Sequence, residues 1–228
     1  MQQTNCRKIG LYGGTFDPVH SGHLSIAQQI LVEYGLDELI FIPASRPPHK
    51  SQPFASFDHR VAMLEKALPL NSKFSISLVE AERTAPSYTI HTLHQLRSRL
   101  ASDELFLIIG ADSFCELHLW YRYKDLLSIV DLVVAARPSF SLSRFFEAIA
   151  NLPGHYEYDE KQRVWREYGG RRIYYFAGSE ELASSTEIRQ KLSSGQLVRD
   201  LLPSSVFEYI RQHGLYIDPP LVNFRPDR

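Results

Sequence analysis

Two histidines three positions apart follow a glycine-rich segment near the start of the chain. The segment GLYGGTFDPVHSGH covers residues 10–23, and its last four letters contain His20 and His23. Residues three apart on a helix lie within about one turn of each other, so the two imidazoles can converge on one group. Imidazole donors stabilise the charge on a phosphoryl group that is being transferred. The spacing therefore predicts a phosphoryl-transfer site at these histidines, with Thr15 beside them.

The elements around this segment indicate how it would bind phosphate. An apolar strand at residues 9–12 precedes Gly13 and Gly14, and apolar residues at helical spacing follow His23. The free amides and the dipole at a helix N-terminus favour an anion. The segment matches neither the GxGxxG fingerprint of dinucleotide oxidoreductases nor the GxxxxGKS/T P-loop. We therefore expect a phosphate site at the glycine turn and exclude those two motif classes.

A second phosphate site is predicted further along the chain, in the run SSTEIR at residues 184–189. Ser184 and Glu187 have the spacing of a capping box, which begins a helix. The amides and hydroxyl groups of the first helical turn can bind phosphate, and Arg189 adds a planar guanidinium that fits phosphate oxygens. The alternative is a capping box with a surface arginine.

Apolar runs alternate with helical patterns along most of the chain. We predict strands at residues 9–12, 39–42, 74–78, 105–109, 131–135 and 173–176. Because some of these strands are apolar throughout, they indicate an α/β fold with a doubly wound, Rossmann-like parallel sheet covered on both faces. The segment 139–171 is polar and aromatic, and we interpret it as an excursion before the last strand. Two closing helices are predicted from capping boxes that begin at Ser184 and Ser205.

Three further regions lie where such a sheet binds ligands, at the carboxyl ends of its strands. Asp112 follows the strand at 105–109, where its carboxylate could accept from ribose hydroxyls, orient hydrated Mg²⁺ or cap the next short helix. Arg137 follows the next strand. The loop PASRPPHKSQP at residues 43–53 is long enough to be functional and offers donors for another phosphate, although a solvated loop is the alternative.

Six motifs in this order resemble one known family. They are GGTFDPVHSGH at 13–23, PPHK at 47–50, SYT at 87–89, GADS at 110–113, WY at 120–121 and SSTEIR at 184–189. Together they resemble the nucleotidyltransferases of the HIGH superfamily and, within it, the bacterial nicotinate-nucleotide adenylyltransferases. The resemblance spans about residues 8–216, and six ordered motifs are jointly much more specific than any one of them. One departure is His91, where the family often has an acidic or amide residue, and we interpret it as a tolerated surface change.

The resemblance implies a set of ligands and a role for each matching residue. ATP and nicotinate mononucleotide would be the substrates, and Mg²⁺ would accompany ATP without a metal site in the protein. The catalytic residues would be His20, His23 and Arg189. The implied ATP-binding residues are Gly13, Gly14, Thr15, Phe16, His20, His23, Gly110, Asp112, Ser113, Ser184, Thr186 and Arg189. Those implied for nicotinate mononucleotide are Ser45, His49, Lys50, Tyr88, Thr89, Trp120, Tyr121 and Arg137.

Within the implied acceptor site, Trp120 would stack on the pyridine ring. Main-chain amides near Tyr88 and Tyr121 would read the nicotinate carboxylate. The 5′-phosphate of the mononucleotide would attack the α-phosphorus of ATP in line, giving deamido-NAD and pyrophosphate. Because this nucleophile is already an anion, the reaction needs no general base.

Two alternatives have different sequence consequences. A sister transferase that uses phosphopantetheine or nicotinamide mononucleotide would share the histidine site, but Trp120 and the SYT segment argue against phosphopantetheine. A nucleotide sensor that binds without transfer would not need to retain transition-state donors. The presence of His20, His23 and Arg189 therefore favours an enzyme.

The overall charge excludes several classes of partner. The 228 residues include 25 Lys and Arg against 26 Asp and Glu, which gives a formal net charge of −1. Nucleic-acid scaffolds and polybasic membrane anchors depend on excess positive charge, and RNA binding, as in synthetases with a HIGH motif, would also need a basic surface. We therefore predict small-molecule partners, with no nucleic acid and no membrane, and a possible homo-oligomer.

Two sequence features favour a cytoplasmic location. No apolar run approaches the about 18–20 residues of a membrane span, and the opening MQQTNCRKIG lacks the apolar stretch of a signal peptide. Cys6 and Cys115 are too few for a disulfide framework and lack zinc-ligand spacing. The length and pattern predict a single nucleotidyltransferase domain over residues 1–228, with a core at about 7–216 and a peripheral tail at 217–228.

Overall fold

The apolar runs of the sequence form a twisted sheet at the centre of the computed structural model. The structure describes residues 6–47, 54–68, 73–83, 86–137, 139–167, 170–178 and 184–217, and within them the sheet has eight strands. In chain order these are β1 (Lys8–Gly14), β2 (Glu38–Pro43), β3 (Phe74–Ile76), β4 (Glu104–Gly110), β5 (Asp131–Ala136), β6 (Tyr156–Asp159), β7 (Val164–Glu167) and β8 (Arg172–Ala177). Their order across the sheet is β3-β2-β1-β4-β5-β8-β7-β6.

The strand order contains a reversal between β1 and β4. From β1 the chain proceeds to β2 and β3 on one side, and then returns to add β4, β5 and β8 on the other, all of them parallel. Loops that leave neighbouring strands in opposite directions open a crevice at the carboxyl ends of the strands. This topology confirms the predicted doubly wound sheet and places the crevice beside the glycine turn.

Helices cover both faces of the sheet. In the described ranges they are α1 (Ser21–Glu33), α2 (Phe57–Ala67), α3 (Thr89–Arg99), α4 (Ala111–Cys115), α5 (Tyr123–Ile129), α6 (Leu142–Ala150), α7 (Ser185–Ser193) and α8 (Ser204–Gln212), with a 3-10 turn at Leu117–Leu119. Strand side chains alternate between faces. Leu105, Leu107 and Ile109 of β4 pack towards α3, α5 and α6, while Phe106 and Ile108 pack towards α1, α2, α7 and α8. None of these helices has the length and apolar character that a membrane span requires.

The segment 139–171 differs from the predicted excursion. It begins with α6, and then β6 and β7 form an antiparallel hairpin that pairs with β8 and extends the sheet. The prediction missed this hairpin because its strands lie near the sheet edge and remain partly exposed, so they carry polar residues between their aromatic ones. The parallel strands of the interior have no such mixture.

The two predicted capping boxes have different outcomes. The Ser184 hydroxyl accepts a hydrogen bond from the amide of Glu187 at 3.2 Å, as predicted for the start of α7. The second closing helix is present, but the capping box predicted at Ser205 is wrong, because α8 begins at Ser204 with Pro203 as its N-cap. The Ser205 hydroxyl donates instead to the carbonyl of Lys66 at 2.7 Å and joins α8 to α2. The final eleven residues, 218–228, lie outside the described ranges.

Candidate active site

A cavity of about 990 Å³ opens at the carboxyl ends of β1, β4 and β5. This volume is at the upper end of the range for small-molecule sites, about 300–1,000 Å³. Its lining contains every residue predicted to bind ATP, namely Gly13, Gly14, Thr15, Phe16, His20, His23, Gly110, Asp112, Ser113, Ser184, Thr186 and Arg189. The strand ends and the start of α7, far apart in sequence, are therefore brought to one crevice. Their roles in binding stay predictions.

The glycine turn folds around a buried aromatic ring. Phe16 adopts a left-handed backbone conformation with φ of 50°, and its side chain is 2% exposed. A Cβ atom on Gly14 would lie only 2.8 Å from this ring, so glycine is required at that position. The ring also packs edge-on against Tyr12 and His23, with centroid distances of 5.7 Å and 5.1 Å. The glycine turn therefore holds the start of α1, where His20 and His23 lie, against a fixed hydrophobic support.

The two histidines meet as their spacing predicts. His20 caps α1 and His23 lies in its first turn, with 3.7 Å between the ring centroids. The backbone amide of His20 donates to Nδ1 of His23 at 3.3 Å. Burial of the His20 ring, which is 7% exposed, and to a smaller extent the charge of the nearby Arg137 together lower its pKa to about 4. His20 is therefore neutral at pH 7 and presents one N–H donor.

Arg189 on α7 is held by contacts on both sides of its guanidinium. Nη1 donates to the carbonyl of Asp17 at 2.7 Å, and Nη2 donates to the hydroxyl of Thr186 at 3.2 Å. The guanidinium carbon lies 4.5 Å from the ring centroid of Phe54, within the range of a cation–π contact. Nε is buried and has no hydrogen-bond partner among the described residues. This cation is positioned before any phosphate binds.

Asp17 holds several parts of the site together, but it was not among the site residues predicted from the sequence, although it lies inside the first motif. Its carboxylate accepts from the backbone amides of Phe54 and Ala55 at 2.8 Å and 3.1 Å. The same carboxylate accepts from the hydroxyl of Tyr216 at 2.6 Å. The available signal in the sequence was an aspartate that lies between the glycine turn and a proline. Its partners, from 37 to 199 positions away, could not be found from local spacing.

Arg60 was also missed. It lies on α2 and is only 1% exposed, yet its guanidinium donates to the carbonyls of Thr15 and Ala44 at 2.8 Å each. A third, longer bond of 3.4 Å runs from Nε to the carbonyl of Ala55. Burial lowers the pKa of Arg60, while the charge of Asp17 opposes this shift. Arg60 thus ties the glycine turn to the loop that follows β2, and its signal was a charged residue within an apolar helical pattern.

Asp112 lies at the rim of the cavity. Its carboxylate pairs with Arg144 at 3.3 Å, and its side chain is 75% exposed. The suggestion that Asp112 caps the next helix is wrong, because Gly110 is the N-cap of α4 and Asp112 falls inside the first turn. An exposed carboxylate at this strand end remains available to a ligand.

The residues predicted for nicotinate mononucleotide divide into two groups. Arg137 lines the same cavity as the ATP set. Ser45, Tyr88, Thr89, Trp120 and Tyr121 lie outside its lining, and His49 and Lys50 fall outside the described residues. The cavity therefore accounts for the predicted ATP side more completely than for the acceptor side.

The aromatic side chains of the second group contact one another or the core of the protein. The rings of Tyr88 and Tyr121 lie 4.8 Å apart, and Trp120 packs against the core on the α3 side of the sheet. The ring of His91 lies 5.7 Å from that of Tyr121, so His91 adjoins this aromatic group. The interpretation of His91 as a tolerated surface change stays a prediction.

Hydrogen bonds join the loop after β2 to the SYT segment. The backbone amide of Arg46 donates to the hydroxyl of Ser87 at 2.9 Å, and the amide of Ser87 donates back to the carbonyl of Arg46 at 3.0 Å. The amide of Ser45 donates to the buried carboxylate of Glu80 at 3.3 Å. The SYT segment is therefore connected directly to the loop that contains Ser45.

The fold and this site define a class of protein. Residues 11–191 match the family model described as cytidylyltransferase-like, so the chain is a nucleotidyltransferase of that class. A Trichlorobacter lovleyi protein named "Probable nicotinate-nucleotide adenylyltransferase" is 39% identical over 212 residues, which cover 92% of this chain and 99% of that protein. A Pseudomonas fluorescens protein of the same name is 41% identical over 214 residues, covering 93% and 99%. The chain belongs to the nicotinate-nucleotide adenylyltransferase family.

A solved structure supports the fold independently. Nicotinic acid mononucleotide adenylyltransferase of Plasmodium falciparum, complexed with NaAD, superposes with a TM-score of 0.73. The superposition covers 92% of this chain and 97% of that one, at 18% sequence identity. At this identity the likeness establishes the common architecture, and the site geometry above rests on this chain's own residues.

Proposed function

We propose that the protein transfers the adenylyl group of ATP to nicotinate mononucleotide, giving deamido-NAD and pyrophosphate. The main observation behind the proposal is that His20, His23 and Arg189 line one cavity, beside the reversal of strand order between β1 and β4. Membership of the family supplies the choice of substrates. The chain's own residues supply the reason to expect transfer rather than binding alone.

In this reaction a phosphate oxygen of the mononucleotide forms a bond to the α-phosphorus of ATP. The bond from that phosphorus to the bridging oxygen of the β-phosphate breaks, and pyrophosphate leaves with the electron pair. No proton has to be removed from the nucleophile. Neutral His20, whose pKa of about 4 keeps it unprotonated at pH 7, donates its N–H to the developing charge without losing it. Arg189 adds a fixed positive charge.

We propose that Mg²⁺ enters the site as part of the MgATP substrate. Within the described ranges no group of three or more His, Cys, Asp or Glu is arranged to hold a metal ion. The carboxylate of Asp17 is engaged by backbone amides and Tyr216, while that of Asp112 is exposed at the cavity rim. Asp112 can therefore contact the water shell that Mg²⁺ usually keeps.

For the acceptor we propose a site that extends from the histidines towards the aromatic group. Arg137 lines the cavity, and Tyr88, Trp120 and Tyr121 lie on the α3 side of the sheet. The hydrogen bonds between Arg46 and Ser87 hold the loop after β2 to this side. A pocket built around a carboxylate should penalise the neutral amide of nicotinamide mononucleotide, because its donors would be left unpaired.

We also propose a cytoplasmic location. Cys6 and Cys115 are free thiols in the structure, which suits a reducing compartment. A homo-oligomer stays a prediction. Fractionation of the source cells with an antibody to the chain would test the location, and light scattering of the purified protein would test the oligomer.

Product identification tests the proposed reaction. The purified protein is incubated with ATP, Mg²⁺ and nicotinate mononucleotide. The products are separated by chromatography and identified and quantified by mass spectrometry. We expect deamido-NAD and pyrophosphate in equal amounts. The variant His20→Ala should lose turnover but keep most of its ATP affinity, whereas His94→Ala, at an exposed position on α3, should behave like the parent. A parent that binds ATP and forms neither product would support the sensor instead.

A further inference from the structure

Tyr216, near the C-terminal end of the described chain, contacts the first motif. Its hydroxyl donates to Oδ1 of Asp17 at 2.6 Å across 199 positions of sequence. Burial raises the pKa of this phenol, and the Asp17 carboxylate raises it further. Tyr216 therefore stays protonated at physiological pH and acts as the donor. Its backbone is left-handed, with φ of 62°, and so is that of Gly214, with φ of 59°.

Asp17 connects that hydroxyl to the parts of the site predicted to bind phosphate. Its carboxylate holds the amides of Phe54 and Ala55, and Phe54 supports the guanidinium of Arg189. Its own carbonyl accepts from Arg189 Nη1. Asp17 therefore supports the arginine in two ways, through its backbone carbonyl and through the segment that its carboxylate holds.

We propose that Tyr216 is a positioning residue for the ATP site and that it acts through Asp17. Without the hydroxyl, Oδ1 of Asp17 keeps only the amide of Ala55 among the bonds described here. The carboxylate then keeps the amides of Phe54 and Ala55 but loses its third hydrogen bond, so it holds the segment that carries Phe54 less firmly against Arg189. The role in ATP binding rests on the proposed function, in which Arg189 contacts the ATP phosphates.

The test compares Tyr216→Phe with a matched control. Tyr209 on α8 also makes one hydroxyl hydrogen bond, with Nδ1 of His59 at 2.9 Å, but this bond does not involve Asp17. Dissociation constants for MgATP are measured by titration calorimetry, with melting temperatures for all proteins. We expect Tyr216→Phe to weaken ATP binding by about 10-fold and Tyr209→Phe by less than about twofold. Both variants lose one hydrogen bond of similar strength, so the difference in ATP binding reports the contact with Asp17 rather than a general loss of stability.

A double-mutant cycle distinguishes action through Asp17 from a general effect. Asp17→Asn and the double variant with Tyr216→Phe are measured in the same way. If Tyr216 acts through Asp17, the double variant binds ATP about as weakly as Asp17→Asn alone, because the effects are not additive. Additive effects, equal losses in the two tyrosine variants, or unchanged ATP binding in Tyr216→Phe would each overturn the proposal. A parent that binds ATP but makes no deamido-NAD would overturn the proposed function alone.

Discussion

The backbone amide of His20 donates to Nδ1 of His23, and the two imidazole rings lie 3.7 Å apart. A ring nitrogen that accepts a hydrogen bond carries no proton, so neutral His23 has its proton on Nε2. The capping geometry of α1 therefore sets the tautomer of the second histidine. In the proposed reaction Nε2 of His23 is the donor, and this assignment can be tested by substitution.

Amide side chains distinguish the two nitrogens of His23. In His23→Gln the amide nitrogen can take the approximate place of Nε2, whereas in His23→Asn it can only approach that of Nδ1. We predict that kcat falls by about 10-fold in the Gln variant and by about 100-fold or more in the Asn variant, because one transition-state donor is kept or lost. Steady-state kinetics with saturating substrates measure this. A Gln variant slower than the Asn variant would refute the assigned tautomer.

The depressed pKa of His20 predicts a pH dependence of stability. The pKa is about 4 in the folded protein and ordinarily 6.5, so as pH falls the unfolded chain takes up a proton first. The free energy of unfolding should therefore decrease as pH falls from 6.5 to 4, by up to about 3 kcal/mol from this residue. Above pH 6.5 the contribution of His20 is constant.

Urea unfolding at pH 4.5 and pH 7 measures this dependence. The variant His20→Gln should show a smaller loss of stability between these pH values than the parent, because it lacks the titrating ring. His94→Gln on the surface of α3 serves as the control and should keep the parental dependence. An identical pH dependence in His20→Gln and the parent would show that His20 is not buried in its neutral form.

Arg189→Lys should weaken ATP binding even though it keeps the charge. Lysine cannot reproduce the paired contacts to the Asp17 carbonyl and the Thr186 hydroxyl, nor the planar contact with Phe54. We predict an increase of about 10-fold to 100-fold in the KM for ATP. Arg199→Lys is the control, since Arg199 also lies over an aromatic ring but not in the cavity. Equal KM values in the two variants would contradict the role of the guanidinium.

Arg60→Met should lower stability more than a typical surface substitution. Methionine fills similar space but leaves the buried carbonyls of Thr15 and Ala44 without their donor. We predict a decrease of about 2–4 kcal/mol in the free energy of unfolding, which urea titration measures. Arg211→Met, at an exposed position in α8, should change it by less than about 0.5 kcal/mol. A variant of Arg60 as stable as this control would show that the network is not needed.

The grouping of the cavity residues could be predicted from the sequence because most of them follow strand ends. Parallel strands bring Gly13 and Gly110 to one edge, so short motifs after each strand meet without any knowledge of distant contacts. Asp17 and Tyr216 could not be paired in this way, because their contact depends on how the C-terminal turn packs. The β6–β7 hairpin was missed for a different reason. Its strands lie near the edge of the sheet, are partly exposed and lack the apolar pattern that marked the interior strands.

The most direct test of the central claim is pyrophosphate release with ATP, Mg²⁺ and one acceptor at a time. The acceptors are nicotinate mononucleotide, nicotinamide mononucleotide and phosphopantetheine. We predict rapid release with the first, a kcat/KM at most about a tenth as large with the amide, and none with phosphopantetheine. Equal or faster release with either of the other acceptors, or no release with any, would contradict the account.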